Sequence, residues 1–437
     1  MKRFWKVLLS VGLIMAFSVP ALAVDVKFSG SYYAQGWYIS NHELNEDEDS
    51  RAFMNQRLRV NTVFQVAEGL ALTTRFDALE KKWGDQNWKG DYEDVRDRSA
   101  AGFGAKEQEN IEFERAYVSF ALPIGGLLDV GYQQGSSAFG TDFLDSDESV
   151  GRVKYTLPVG PHALVLSYEK LNEDMAGDNT RDADDTAYTV AGIVKFATGE
   201  AGLIYKYIDL ASTRPTGWRT NLHVANPYVK MAAGPLNVEA EAYYIGGKWK
   251  EYESPLAGLP DVDAESYGGY VKAQMERAPG YAGVILAYMK GDDPGTDDKI
   301  EGGFMPVLHW GENFNPCLIL WNYDYSDWVA GDPTYGWPTG GYMDNVQFAQ
   351  VYAGFKPIPK LDVKASIAYA KADETPAGVD DEYGTEADIM ASYKIYNNLE
   401  YMIGAAYLFA GDYFKGDDPG YKIDDNYLLM HKLTLTF

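Results

Sequence analysis

The chain has 437 residues, a single cysteine and a formal net charge of -26 at pH 7. Such acidity excludes a general nucleic-acid binder, whose phosphate contacts need clustered Lys and Arg, and the lone Cys317 excludes an internal disulfide. The length would allow two or three soluble domains, but one local pattern runs throughout with no Pro/Ser/Gly linker.

The first element is a leader. Lys2, Arg3 and Lys6 form a positive segment, residues 7–19 are apolar, and Ala21-Leu22-Ala23 gives the small-x-small pattern of a signal-peptidase site. Residues 1–23 are therefore expected to be a cleaved signal peptide, and losing its three cations moves the charge from -26 to -29. No later apolar run approaches the roughly 20 residues that a membrane helix needs.

From Val26 onward the chain alternates with period two. Val26, Phe28, Tyr32, Ala34 and Tyr38 are apolar against Lys27, Ser29, Ser31 and Gln35. Leu58, Val60, Phe64 and Val66 alternate with Arg57, Arg59, Asn61 and Gln65, and Leu236, Val238, Ala240 and Ala242 with Asn237, Glu239 and Glu241. Two later runs, 361–369 and 399–407, do the same. Period two means a strand with one apolar and one polar face. Many such strands, tipped by Tyr, Phe and Trp, predict a transmembrane antiparallel β-barrel with a lipid-facing surface.

The connections refine this expectation. Short Gly/Pro/Asn turns fall near residues 67–69, 123–126, 158–161, 198–199, 233–235, 277–280, 357–360 and 397–398. Between them lie longer acidic segments at 41–51, 81–109, 135–149, 172–185, 209–218, 249–263, 291–345, 372–383 and 411–425. Strict alternation of short and long connections predicts short periplasmic turns, long external loops and about 18 strands, with 16 as another even count because the count can shift by two; Cys317 to Tyr325 also looks strand-like. Residues 24–437 thus read as one barrel domain. Leu429, His431, Leu433, Leu435 and the terminal Phe437 share one face of the last strand, the pattern of a signal for the barrel assembly machinery.

The segments Arg115-Ala116-Tyr117-Val118-Ser119-Phe120 and Val130-Gly131-Tyr132-Gln133-Gln134-Gly135 resemble early strands of Gram-negative outer-membrane porin-like barrels. The closing stretches Tyr383-Gly384-Thr385-Glu386-Ala387-Asp388 and Gly411-Asp412-Tyr413-Phe414 resemble the alginate-export-type barrel family. Together the matches cover about a quarter of the chain. The resemblance implies a monomeric or trimeric channel of about 18 strands, and its alginate-export part implies an electropositive pore for a polyuronate.

The polar phase supplies candidate pore residues. Arg57, Arg59, Arg75, Arg115, Arg152 and Lys154 make the early strands basic, while Glu239, Glu241, Asp362, Glu386, Asp388 and Glu400 make the later ones acidic. Two such walls would set a transverse field across the lumen; the same residues would equally form cross-strand salt bridges. The long segment 291–345 carries Trp310, Trp321, Trp328 and Trp337, too many aromatics to leave in water, and is expected to be a constriction, an outer cap or a subunit contact.

Enzyme and metal signatures are absent from the sequence. None of the five histidines sits in H-E-x-x-H, no G-x-S-x-G elbow occurs, and the acidic runs at 46–49 and 182–185 lack EF-hand spacing. The reading at this stage is an exported outer-membrane channel for ions and small hydrophilic solutes, without cofactor, metal or nucleic acid. Its expected partners are outer-membrane lipid and lipopolysaccharide, the assembly machinery and, in one arrangement, two further copies in a homotrimer. The alternatives are a carbohydrate-specific export or uptake barrel, a barrel-resident hydrolase, and a sheath around a partner protein.

Overall fold

The computed structural model describes residues 24–84, 111–135, 140–173, 183–253, 259–330, 340–418 and 420–437; the expected leader and Trp337 lie outside them. Eighteen antiparallel strands form the wall. They are β1 (Asp25–Ser40), β2 (Arg51–Ala67), β3 (Leu70–Lys82), β4 (Glu112–Ala121), β5 (Leu127–Gln134) and β6 (Ser149–Val159). Next come β7 (His162–Asn172), β8 (Asp185–Phe196), β9 (Gly199–Leu210), β10 (Trp218–Ala233), β11 (Leu236–Tyr252) and β12 (Val262–Arg277). The circuit ends with β13 (Gly280–Met289), β14 (Val346–Ile358), β15 (Leu361–Lys371), β16 (Glu382–Tyr396), β17 (Leu399–Ala410) and β18 (Asn426–Thr436). Each pairs with its sequence neighbour, and β1 closes on β18 from Ser31 opposite Thr436 to Ser40 opposite Tyr427. Closure leaves no sheet edge, so the strand amides within the paired registers bond inside the wall, as a water-free surrounding requires.

Period two decides which way each side chain points. In β14, Val346, Phe348, Gln350 and Tyr352 are buried inward, whereas Val351 between them is 60% exposed on the outside. Leu203, Leu286, Ile367, Ile389, Ile403 and Leu429 are likewise more than half exposed on the outer face. An apolar belt of this extent is unfavourable in water and favourable against lipid. Tyrosine pairs mark its long-loop end, with ring centroids 5.9 Å apart for Tyr38 and Tyr427, 5.4 Å for Tyr168 and Tyr188, and 5.8 Å for Tyr267 and Tyr288.

The apolar core lies inside the barrel. Phe304, Met305, Phe314, Leu318, Ile319, Leu320, Trp321 and Tyr325, from the connection between β13 and β14, pack with inward residues such as Trp37, Ile245, Phe348, Ala370, Leu408 and Leu428. The stretch that alternates like a strand, Cys317 to Tyr325, is not one. Its amides at Leu318, Ile319 and Leu320 donate to the Glu386 carboxylate on β16 instead of to a neighbouring strand. Asn322 then caps a helical turn at Tyr323–Tyr325 by accepting from the Tyr325 amide at 2.9 Å. Alternation reports only that one face is apolar; the donors' partner decides the backbone form.

Candidate functional site

One side of the lumen is built on arginine. β2, β3 and β4 place Arg57, Arg59, Arg75 and Arg115 on the inward face, within reach of one set of carboxylates. Arg59 lies 2.6 Å from Asp77, 3.0 Å from Glu114 and 2.6 Å from Asp147. Arg75 pairs with Glu114 and lies 2.6 Å from Asp147, and Arg115 also pairs with Asp147. Arg57 sits farther along, 3.8 Å from Asp77 and 3.6 Å from Glu80. Four guanidiniums thus meet four carboxylates, so this part of the wall is close to neutral. Glu114 joins the set through a β-bulge: Arg75 faces Arg115 while Phe76 faces Phe113, so Glu114 is an extra residue and turns inward with its neighbour. Farther round, Arg152 and Glu169 are fully buried 2.8 Å apart, Lys206 closes on Glu169 at 2.7 Å, and Lys154 pairs with Asp129 at 3.1 Å.

The loop between β5 and β6 crosses the lumen. At one end Asp147 sits among the three arginines just described. At the other, the Thr141 amide donates to Glu241 on β11 at 2.9 Å, and Lys230 on β10 donates to the Gly140 carbonyl at 2.7 Å. β3 and β11 are eight strands apart in an 18-strand circuit, so the loop joins nearly opposite walls. Midway, Phe143 stacks on Tyr270 of β12 at 4.7 Å and meets Phe314 of the long loop at 5.1 Å. The two loops also join through polar contacts. The Gly311 amide donates to the Asp145 carbonyl at 2.8 Å, and Glu312 accepts from the Asp147 amide.

These loop carboxylates differ in affinity for protons. Burial opposes ionisation of Asp147, but the hydrogen bond from Arg75 and the charges of Arg75, Arg59 and Arg115 outweigh it and hold its carboxyl well below the usual range. Burial, then the charges of Asp147, Glu148 and Asp145, pushes Glu312 up to about 7. Asp145 is pushed up to about 6, by burial first and then by Asp142 and Asp147.

On the remaining wall the acidic residues fall into several surroundings, Glu239 and Asp362 on one cavity and Glu386 beside Asp388. Glu239 lies 3.4 Å from Lys272, and Asp362 lies 3.7 Å from Lys356 and accepts from the Tyr281 hydroxyl at 3.1 Å. Glu241 anchors the crossing loop, Glu386 holds the long loop, and Asp388 accepts from Ser366 at 3.1 Å. Glu400 is half-buried at the short-turn end of β17. Trp310, Trp321 and Trp328 are all buried; Trp321 meets Phe348 and Tyr383 edge-on, and Lys206 lies 5.9 Å over the Trp310 ring. Phe437 closes the seam by exchanging backbone hydrogen bonds of 2.9 and 3.1 Å with Gly30, where any Cβ would collide with the Phe437 ring.

Between the loops and the short-turn end lies a polar cavity of about 380 Å³. Its lining includes Asp142, Glu239, Lys272, Tyr281, Asn313, Tyr352, Lys356, Asp362 and Lys364. Two of its tyrosines lie flat on the wall over glycines of the next strand, Tyr281 over Gly354 and Tyr352 over Gly283, where no Cβ could fit. Phenol rings thereby line the space without filling it.

Several of these residues were accessible to sequence reasoning and passed over. Asp77, Asp129 and Glu169 share the polar phase with the arginines they neutralise, and Lys272, Lys356 and Lys364 share it with the acidic residues, so the later strands are mixed in sign. Glu114 was hidden by the bulge. Asp147 sits on a connection expected to be external, with nothing local to mark its inward turn; Glu312 sits on the segment 291–345, whose aromatics made a constriction one expectation but did not mark which residues it would meet.

No protein-family model and no curated protein sequence matches the chain. Solved structures do match. OpdK of Pseudomonas aeruginosa, crystallised with vanillate, aligns over 94% of this chain and 98% of its own at 9% identity and a TM-score of 0.55. OccK2 (OpdF) of the same organism, in complex with glucuronate, covers 94% and 97% at 11% identity and 0.53. A BenF-like porin from Pseudomonas fluorescens Pf-5 covers 94% and 99% at 12% identity and 0.52. At such identities the likeness is one of fold: this chain has the closed 18-strand barrel of those outer-membrane porins.

Proposed function

We propose that the chain is an outer-membrane channel through which ions and small hydrophilic solutes diffuse, along a path narrowed by the crossing loop and the long aromatic loop. The observation that carries this reading is the closed barrel with an apolar outer belt, an ion-paired inward face and a polar cavity beneath the inward loops. A barrel of 18 strands is wide enough for an aqueous bore unless something fills it, and here two loops fill part of it. In this reading Asp147 completes a balanced cluster, so moving the loop aside uncovers a net positive site suited to a small anion. The ligands named for the matched porins, vanillate and glucuronate, are small carboxylates of that kind. The outer belt meets lipid and lipopolysaccharide, the assembly machinery reads Phe437, and the oligomer is a monomer or a homotrimer. Catalytic turnover is not part of the proposal, and robust hydrolysis by pure protein would contradict it.

Planar-bilayer recording under a salt gradient tests it. Stable conductance steps are expected. Neutralising Arg57, Arg59 and Arg75 together is expected to shift the reversal potential toward cation preference, because their carboxylate partners stay behind. An unchanged reversal potential would argue against a role for this wall in permeation. A second reading, a carbohydrate path of the kind the alginate-export resemblance implies, is favoured by Tyr281 and Tyr352 lying flat along the cavity. Conductance blocked by neutral oligosaccharides and indifferent to small carboxylates would favour it.

A further inference from the structure

The strongest unassigned feature is buried where the long loop meets the wall. The Cys317 thiol and the Glu386 and Asp388 carboxylates offer ligand atoms that all lie within 4.8 Å of one another, and each residue is more than nine-tenths buried. We propose that these three residues bind a thiophilic divalent cation of the zinc type, which staples the loop to β16.

The acceptor inventory supports a missing cation. A carboxylate has about four acceptor positions. Glu386 uses three, for the amides of Leu318 at 3.0 Å and of Ile319 and Leu320 at 2.7 Å, so one remains. Asp388 accepts from Ser366 with one oxygen, and its other oxygen, Oδ1, is buried without a partner. A second orphan lies beside it: Gln350 is 1% exposed, its amide nitrogen donates to the Pro316 carbonyl at 2.7 Å and lies 3.6 Å from the Cys317 sulfur, and its amide oxygen has no partner. Among the described residues no Lys or Arg nitrogen comes within 4 Å of either carboxylate; Lys364 acts on Asp388 and on Cys317 from farther away, which offsets the burial of two such groups only in part. One thiolate and two carboxylates satisfy three positions of a tetrahedral zinc site, leaving a fourth for water or, once its amide rotates, for the Gln350 oxygen. Binding displaces the thiol proton to solvent. A second cluster, His42, Glu43 and Glu48, is less suited, because the Arg51 guanidinium lies 3.3 Å from Glu48 and 3.7 Å from Glu43 and repels a cation.

Zinc and cobalt(II) titration of the folded, metal-stripped protein in detergent tests the site. One equivalent of zinc per chain is expected, and cobalt should give a thiolate-to-metal charge-transfer band. Cys317→Ser should abolish the band and weaken zinc binding by about tenfold or more. Asp388→Asn, which preserves size, should weaken it comparably, whereas His42→Ala should leave it unchanged. Heat-modifiable gel mobility establishes that each variant is folded, so a failure of one leaves the other decisive. No zinc uptake by folded wild-type protein, accompanied by an infrared band of a protonated carboxyl, would overturn the proposal in favour of a proton shared between Glu386 and Asp388. Undiminished binding by both Cys317→Ser and Asp388→Asn, or loss on His42→Ala, would overturn it as well.

Discussion

The crossing loop and the long loop both turn into the lumen, but different forces hold them there. The crossing loop is tied by charge at two points, Asp147 among three arginines and Glu241 against the Thr141 amide, with only the short buried pair Phe143 and Leu144 and the polar contacts of Asp145 between them. The long loop is held by buried apolar side chains along its length and by one carboxylate that accepts three consecutive amides. Attachments made of charge respond to pH, whereas apolar burial does not. The first loop is therefore the part of the bore that solution conditions can move, and the second is a fixed lining.

The largest expected effect breaks the fixed lining. Glu386→Ala leaves three buried amides without an acceptor and should weaken docking of the long loop by about 3 kcal/mol or more. Limited proteolysis within 304–328 and a noisier, larger conductance would register it. Protection equal to wild type would mean that apolar packing alone holds the loop.

A smaller effect follows from Glu312. Its ordinary value is 4.5 and its value in the docked state about 7, so the docked state binds the extra proton across that interval. The docking this contributes is complete below pH 4.5 and is lost as pH rises through about 7. Asp145, raised to about 6, acts in the same direction. Asp147 has the opposite sign, its contribution being lost only as pH falls below the usual carboxylate range. Between pH 5 and 8 the contact between the two loops should therefore loosen, by about tenfold or more in its equilibrium. Open probability should climb over that range, and Glu312→Gln should flatten the rise. A wild-type profile that is flat or falls with pH would contradict this account.

The smallest effect belongs to neither loop. Acidic surface loops should concentrate cations at the long-loop mouth and add a weak cation preference that disappears at high salt. Measuring selectivity at low and high ionic strength separates this screened contribution from that of the buried arginines, which should persist.

The comparison also explains what could be read in advance. Strand number and loop alternation were legible because period two and Gly/Pro turns are local signals; the 16-strand alternative falls because all 18 expected strands pair in the wall, and Cys317 to Tyr325 adds none. Arg57, Arg59, Arg75 and Arg115 were legible as one inward face for the same reason. Their neutralisation was not, because Glu114 depends on a bulge and Asp147 on where a 14-residue connection, 135–148, comes to rest. Burial of Trp310, Trp321 and Trp328 followed from their unfavourable exposure to water, but composition says nothing of which wall receives them. The three-amide grip of Glu386 joins positions 66 to 68 residues apart and leaves no spacing to recognise.

Single-channel recording of wild type beside the double variant Asp147→Asn, Glu241→Gln tests the central claim most directly, since the variant weakens both ends of the crossing loop while preserving side-chain size. The account predicts small, stable steps for wild type and a severalfold larger conductance, with less dependence on pH, for the variant. A folded wild-type barrel that stays silent together with a silent variant, or two proteins of equal conductance, would contradict a bore set by this loop.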